Sequence, residues 1–127
     1  MNALVTEVAG YLRASGRAID ALTSGIAPEV ARAAPSPGKW SINDVLGHLA
    51  DEERNDFRMR IDYMLHKPGA SWPRLDPEKT VRERNFNAQS LADLRADFVH
   101  ERAKSLEWLA GLHDADWNVT YRHPKLG

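Results

Sequence analysis

Residues 38–57, "GKWSINDVLGHLADEERNDF", decide the fold of this chain. Ser41 is placed as a helix N-cap, since its hydroxyl can accept a free backbone N–H of the first turn, and Asp44 stands three residues on, where a carboxylate suits the positive end of the helix dipole and can reach back. Trp40 and Val45 flank that start as a hydrophobic staple, which predicts a buried Trp40 packed on Val45. From this entry Ile42, Val45, Leu46, Leu49, Phe57, Ile61 and Met64 hold one apolar stripe until Lys67, Pro68 and Gly69 end it, predicting a helix over 41–66. His48 lies at the edge of the stripe, with Glu52 one turn later. Glu53 and Arg60 lie inside it.

Upstream, Leu4, Val5, Val8, Leu12, Ile19 and Leu22 recur at helical spacing and predict a helix over 2–23 that stops at Ser24 and Gly25. The following "IAPEVARAAPSPGK" has room for one short turn at 28–33. Downstream, Ser90 with Asp93 repeats the capping pattern, and Leu91, Leu94, Phe98, Ser105, Leu109 and Leu112 predict a helix over 90–112. Residues 67–88 between them show no sustained period and contain three prolines, which predicts a long structureless crossing. Such a connection suits two parallel helices whose opposite ends must be joined. Trp72, Val81 and Phe86 are placed to pin it to the core, and residues 113–127 read as loop.

The 127 residues fit one domain, 1–127, and the near-neutral charge of −1 gives no sign of a nucleic-acid partner. With no cysteine, any metal would rest on His, Asp or Glu. The N-terminus is patterned as a helix rather than as a leader, and no run approaches membrane-spanning length, so the expectation is a cytoplasmic chain without a membrane partner.

The segments "PGKWSINDVLGHLADEERNDFRMRIDYML", "SWPRLDPEKTVRERNFN", "RAKSLEWLAGLHDADW" and "YRHPKLG", from about residue 25 to the end, resemble successive landmarks of the DinB-like superfamily. The resemblance implies an all-α fold, an up-down-down-up four-helix bundle, of which only the first three helices would be present here. It also implies a divalent metal, zinc or nickel, held by one histidine on the second helix and a His-x-x-x-His pair on the fourth. His48 matches the first of these. No His-x-x-x-His occurs in the sequence, so the expectation is a domain truncated before its fourth helix that binds no metal tightly by itself. Glu52 has two readings, a member of the solvated run "DEER" or a group orienting an imidazole. His66 suits a helix C-terminus, His100 an exposed face, and His113 and His123 loops.

Two functions follow as expectations. Bundles of this kind include S-transferases that use small thiols such as bacillithiol or mycothiol, a mycothiol-dependent isomerase and a domain of sulfoxide synthases. That implies a metal-dependent transferase or hydrolase acting on a thiol or other small-molecule substrate, the ion lowering the pKa of a bound thiol or water. The alternative is a non-catalytic helical module or fragment that associates, as a homodimer for example, through an uncovered apolar groove. Glu53 and Arg60 are expected to pair with each other, to pair with Asp76 or Glu83 of the crossing segment, or to enter a polar pocket.

Overall fold

A computed structural model describes residues 2–123 and 126, and among them there is no strand. Helix α1 is Ala3–Thr23, its start capped by the Asn2 side chain, which accepts from the Leu4 N–H at 2.7 Å. A single turn, α2, follows at Pro28–Arg32. The deciding stretch opens α3 at Ile42 with the reciprocal cap that Ser41 and Asp44 imply: Asp44 N–H donates to Ser41 Oγ at 3.1 Å and Ser41 N–H to Asp44 Oδ2 at 3.0 Å. Helix α3 (Ile42–Glu52) passes through a π-helical turn, Glu53–Phe57, into α4 (Arg58–His66). These form one continuous rod.

The crossing segment is more ordered than its lack of period predicts. Asp76 accepts from the Lys79 N–H at 3.2 Å and caps α5, Pro77–Arg84, whose first residue is a proline that needs no N–H partner there. Asn85 then takes a left-handed conformation, φ 49°, and a short 3₁₀ turn, Phe86–Ala88, leads to α6, Leu91–Ala110. Asp76-Pro77 is the start signal for α5. The helix lacks an apolar stripe because it buries little besides Val81.

Hydrogen bonds fix the relative directions of the long helices. Along the rod and α6, Ser41 bonds Asn87, Asn43 bonds Gln89, Arg54 bonds Asp97 and Arg58 bonds Glu101, so both partners advance together and the helices run parallel. Between α1 and α6 the order reverses: Arg95 bonds Asp20 and Thr23, while Arg102 bonds Leu12 and Ser15. The sense is thus up, down, down.

The core lies where the rod, α5 and α6 meet, around Leu46, Val81, Phe86 and Leu94, with Ile19, Trp40, Ile42 and Leu91 packed against it. Gly47 permits the closest approach in it. A Cβ there would stand 2.3 Å from the Phe86 ring, so the aromatic lies directly on the helix backbone. Farther along, Phe98 is buried where α6 meets its neighbours.

Both α1 and the rod rest on α6, and between α1 and the rod the surface stays open. Two apolar recesses occupy that groove. One, about 480 Å³, is bounded by Val5, Val8, Phe57, Ile61, Trp108 and Trp117; the other, about 560 Å³, by Ile19, Leu22, Val30, Trp40, Val45 and Leu49. Trp40 is accordingly only partly buried, and Val45, its expected staple partner, is 41% exposed in the same recess.

Candidate functional site

His48 occupies the second turn from the cap, where Trp40 packs against it. The two ring centroids are 4.9 Å apart and tilted by 55°. The imidazole is 22% exposed, and its Nε2 lies 3.6 Å from Glu52 Oε1. That separation is longer than a good hydrogen bond but close enough for a charge to be felt. Glu52 therefore belongs beside His48 rather than to an indifferent solvated run.

From Glu52 a file of polar side chains continues along the rod at intervals of four residues. Asp56, buried, and Arg60 form an ion pair, Nε to Oδ1 2.6 Å. Burial pushes the Glu52 carboxyl up to about 7, and a hydrogen bond with Asp56 and the charges of Asp56 and Asp51 act in the same sense against Arg60. A carboxyl in this state can hold or release a proton near neutrality.

Glu53 and Arg60 do not meet. In an uninterrupted α-helix, residues seven apart share a face, whereas the extra residue of the π turn rotates the rest of the rod by about a third of a turn. Glu53 consequently points at α6. Its Oε1 accepts from Arg102 Nε at 2.9 Å and Nη2 at 2.8 Å, and Arg102 Nη1 continues to the Leu12 carbonyl at 2.6 Å and Ser15 Oγ at 2.9 Å. Arg60 instead lies over the Trp72 ring, 4.8 Å from its centroid. Arg102 was findable in the sequence. It falls between Phe98 and Ser105 on the α6 stripe, a basic residue at a core position answering the acidic one on the rod.

The other histidines are not gathered around His48. His66 closes the last turn of α4, Nδ1 2.8 Å from Asp62 Oδ1. His100 and His113 are exposed, and His123 packs edge-on to Trp72 and accepts from the Leu126 N–H at 3.2 Å.

The family model of the DinB superfamily matches residues 11–127. The chain belongs to the DinB superfamily. No curated protein and no solved structure matches it. The metal that a DinB-like fold implies can be tested against the donors at hand. Among the described residues no group of three or more His, Cys, Asp or Glu is placed to hold an ion. His48 and Glu52 supply two donors, and a tetrahedral catalytic centre takes three from the protein. The described residues of this DinB-like chain do not make a complete site.

Proposed function

We propose that this DinB superfamily chain serves a metal-dependent transferase or hydrolase acting on a small thiol or related substrate, with His48 as one ligand of the ion and the further donors supplied from outside the described residues. The observation that carries this reading is the His48–Glu52 pair beside Trp40. Within it, Glu52 would orient the imidazole and, poised near 7, exchange a proton with a reacting group. Zinc or nickel would supply the acidity that turns a thiol or water into an anion near neutral pH.

The test is a calorimetric titration with zinc. The 127-residue chain should bind weakly and without defined stoichiometry. The same chain carrying an amphipathic His-x-x-x-His helix fused after Gly127 should bind about one ion, and His48→Ala should abolish that binding. Tight one-to-one binding by the chain without the fused helix, or binding retained in the fused His48→Ala protein, would refute the assignment.

A second reading is a helical module that associates through the groove between α1 and the rod. Its support is the apolar surface there, where Leu4, Val8, Leu22, Val45 and Phe57 are all exposed. Sedimentation over a range of protein concentrations tests it, a constant monomer mass counting against association.

A further inference from the structure

The polar file along the rod ends at Arg60, and Arg60 forms one wall of a cleft that neither reading of the His48 region uses. Three separate stretches converge there: α4 through Arg60, the crossing segment through Trp72, Pro73, Arg74 and Leu75, and the C-terminal segment through Tyr121 and His123. The cleft is about 460 Å³, and no carboxylate stands among its lining residues. Its distance from His48 is twelve residues of helix, roughly 18 Å at 1.5 Å per residue.

Its donors are held in place rather than adrift. Arg60 is held on one side by its ion pair with Asp56, Nε to Oδ1 2.6 Å, and on another by the Trp72 ring, 4.8 Å from guanidinium carbon to centroid. Neither Nη group of Arg60 has a hydrogen-bond partner among the described residues. Trp72 is itself clamped from behind, stacked on Tyr121 with centroids 3.6 Å apart and planes 9° from parallel. Tyr121 Oη accepts from the Trp72 backbone N–H at 3.4 Å, so its own hydrogen remains to be donated. Arg74 is exposed at the rim and makes no ion pair among the described residues. Two guanidinium groups and a phenol, with Asp56 offsetting only one of the two charges, form a donor-rich pocket of net positive charge.

We propose that this cleft binds the oxyanion of a small organic ligand, a phosphoryl or carboxylate group, through the Nη groups of Arg60, the guanidinium of Arg74 and the hydroxyl of Tyr121. An arginine fork presents two parallel N–H donors, which match the paired oxygens of either group. Because stacking and the Asp56 pair already immobilise Arg60, little side-chain freedom is lost when the anion arrives. Both faces of Trp72 are occupied, one by Arg60 and one by Tyr121, so the indole serves as a wall and does not stack on the ligand.

The indole N–H of Trp72, buried and without an acceptor among the described residues, gives a local reporter. Its NMR resonance should be followed in the 127-residue chain while inorganic phosphate, phenyl phosphate and benzoate are titrated at constant ionic strength. The expected result is a saturable shift of Trp72 with phenyl phosphate or benzoate, the stronger of the two identifying the preferred oxyanion. Arg74→Ala, at an exposed position with no ion-pair partner to lose, should weaken that binding at least tenfold, and Arg60→Lys should weaken it while keeping the charge. Absence of saturation with all three probes, affinity unchanged in Arg74→Ala, or equal shifts of all four indoles, which mark general screening, would overturn the proposal.

Discussion

The rod from Ile42 to His66 has two long faces that the molecule treats in opposite ways. Toward α5 and α6 its charges are paired and closed in. Asp51 Oδ1 accepts from Arg54 at 2.9 Å and Arg84 at 2.7 Å, Arg54 forks onto Asp97 at 2.9 and 3.1 Å, and Arg58 and Arg54 both reach Glu101. Toward α1 the surface is open and apolar, and of the carboxylates in the polar file along the rod Glu52 forms no ion pair with an arginine among the described residues. The difference shows in their acidities. Hydrogen bonding to Arg54 holds the Asp97 carboxyl below its usual range, and at Glu101 burial, which would raise it, is overcome by Arg58 and Arg54. Glu52, where burial is opposed by the charge of Arg60 alone, goes the other way. One face is built for stability. The other leaves a carboxyl raised to about 7.

The largest expected effect comes from breaking the ion pair that lies between the two faces. Glu53 is 1% exposed, and Arg102 spends three of its nitrogens on Glu53, Leu12 and Ser15. Glu53→Ala leaves a buried guanidinium short of its counter-charge, a change that costs about 3–5 kcal/mol. Replacing both partners, as in Glu53→Leu with Arg102→Met, should recover most of that loss, because no charge is then stranded. Urea denaturation of the two variants and the parent makes the comparison. A loss below about 1 kcal/mol in Glu53→Ala would show that water reaches the pair and that the faces are less distinct than their burial indicates.

That pair also marks the limit of what the residues reveal. The three long helices were legible because caps and stripes are local: Ser41 with Asp44 and Ser90 with Asp93 predict starts one residue from those observed, and the helix expected over 90–112 ends at Ala110. The break in phase at Glu53–Phe57 was not legible. Nothing in "ERNDF" distinguishes a π turn from an α turn, since both satisfy the same backbone groups and differ by one residue of register. A stripe continued through it places Glu53 beside Arg60, which is the pairing that fails. Helix α5 escapes a reading by stripes for the opposite reason. Its Asp-Pro start is clear, but "PEKTVRER" carries no apolar period, so a search by periodicity does not find it. At the candidate site the histidine and its neighbour were readable as an i, i+4 pair, whereas Arg74 and Tyr121 come together only through the path of the crossing segment.

The second prediction uses pH to set the faces against each other. A carboxyl with a raised pKa binds more protons folded than unfolded, so Glu52 contributes stability that is present below its ordinary value of 4.5 and lost as the pH rises toward about 7. Asp97 and Glu101, with lowered values, contribute stability that is present at neutral pH and lost as the pH falls through their folded values. Stability should therefore peak in mildly acid solution and decline on both sides. Glu52→Gln should flatten the neutral side, by about 1–2 kcal/mol once solvent screening of a partly exposed group is allowed for, and leave the acid side alone. Asp97→Asn should do the reverse. Denaturation midpoints at about pH 3, 4.5 and 7 read both slopes, and an unchanged neutral slope in Glu52→Gln would mean that the carboxyl is already solvated.

The smallest effect is expected where the open face is most apolar. Phe57 and Phe98 are the same residue type on the two sides of the molecule, 46% and 1% exposed. Phe98→Ala removes a ring from a packed core and should cost about 3–5 kcal/mol. Phe57→Ser takes an aromatic off a groove wall that is already wet, and such a change should stay within about 0.5 kcal/mol. The near-silence of Phe57 is itself informative, because it holds only while the groove is uncovered. If a second copy of the chain lies in the groove, Phe57 becomes an interface residue, and its replacement should lower the thermal midpoint by an amount that grows with protein concentration. Measuring the Phe57→Ser midpoint at low and high protein concentration therefore separates the two states of the groove. A small, concentration-independent change supports an open face, and a large or concentration-dependent one shows that the chain covers it by association.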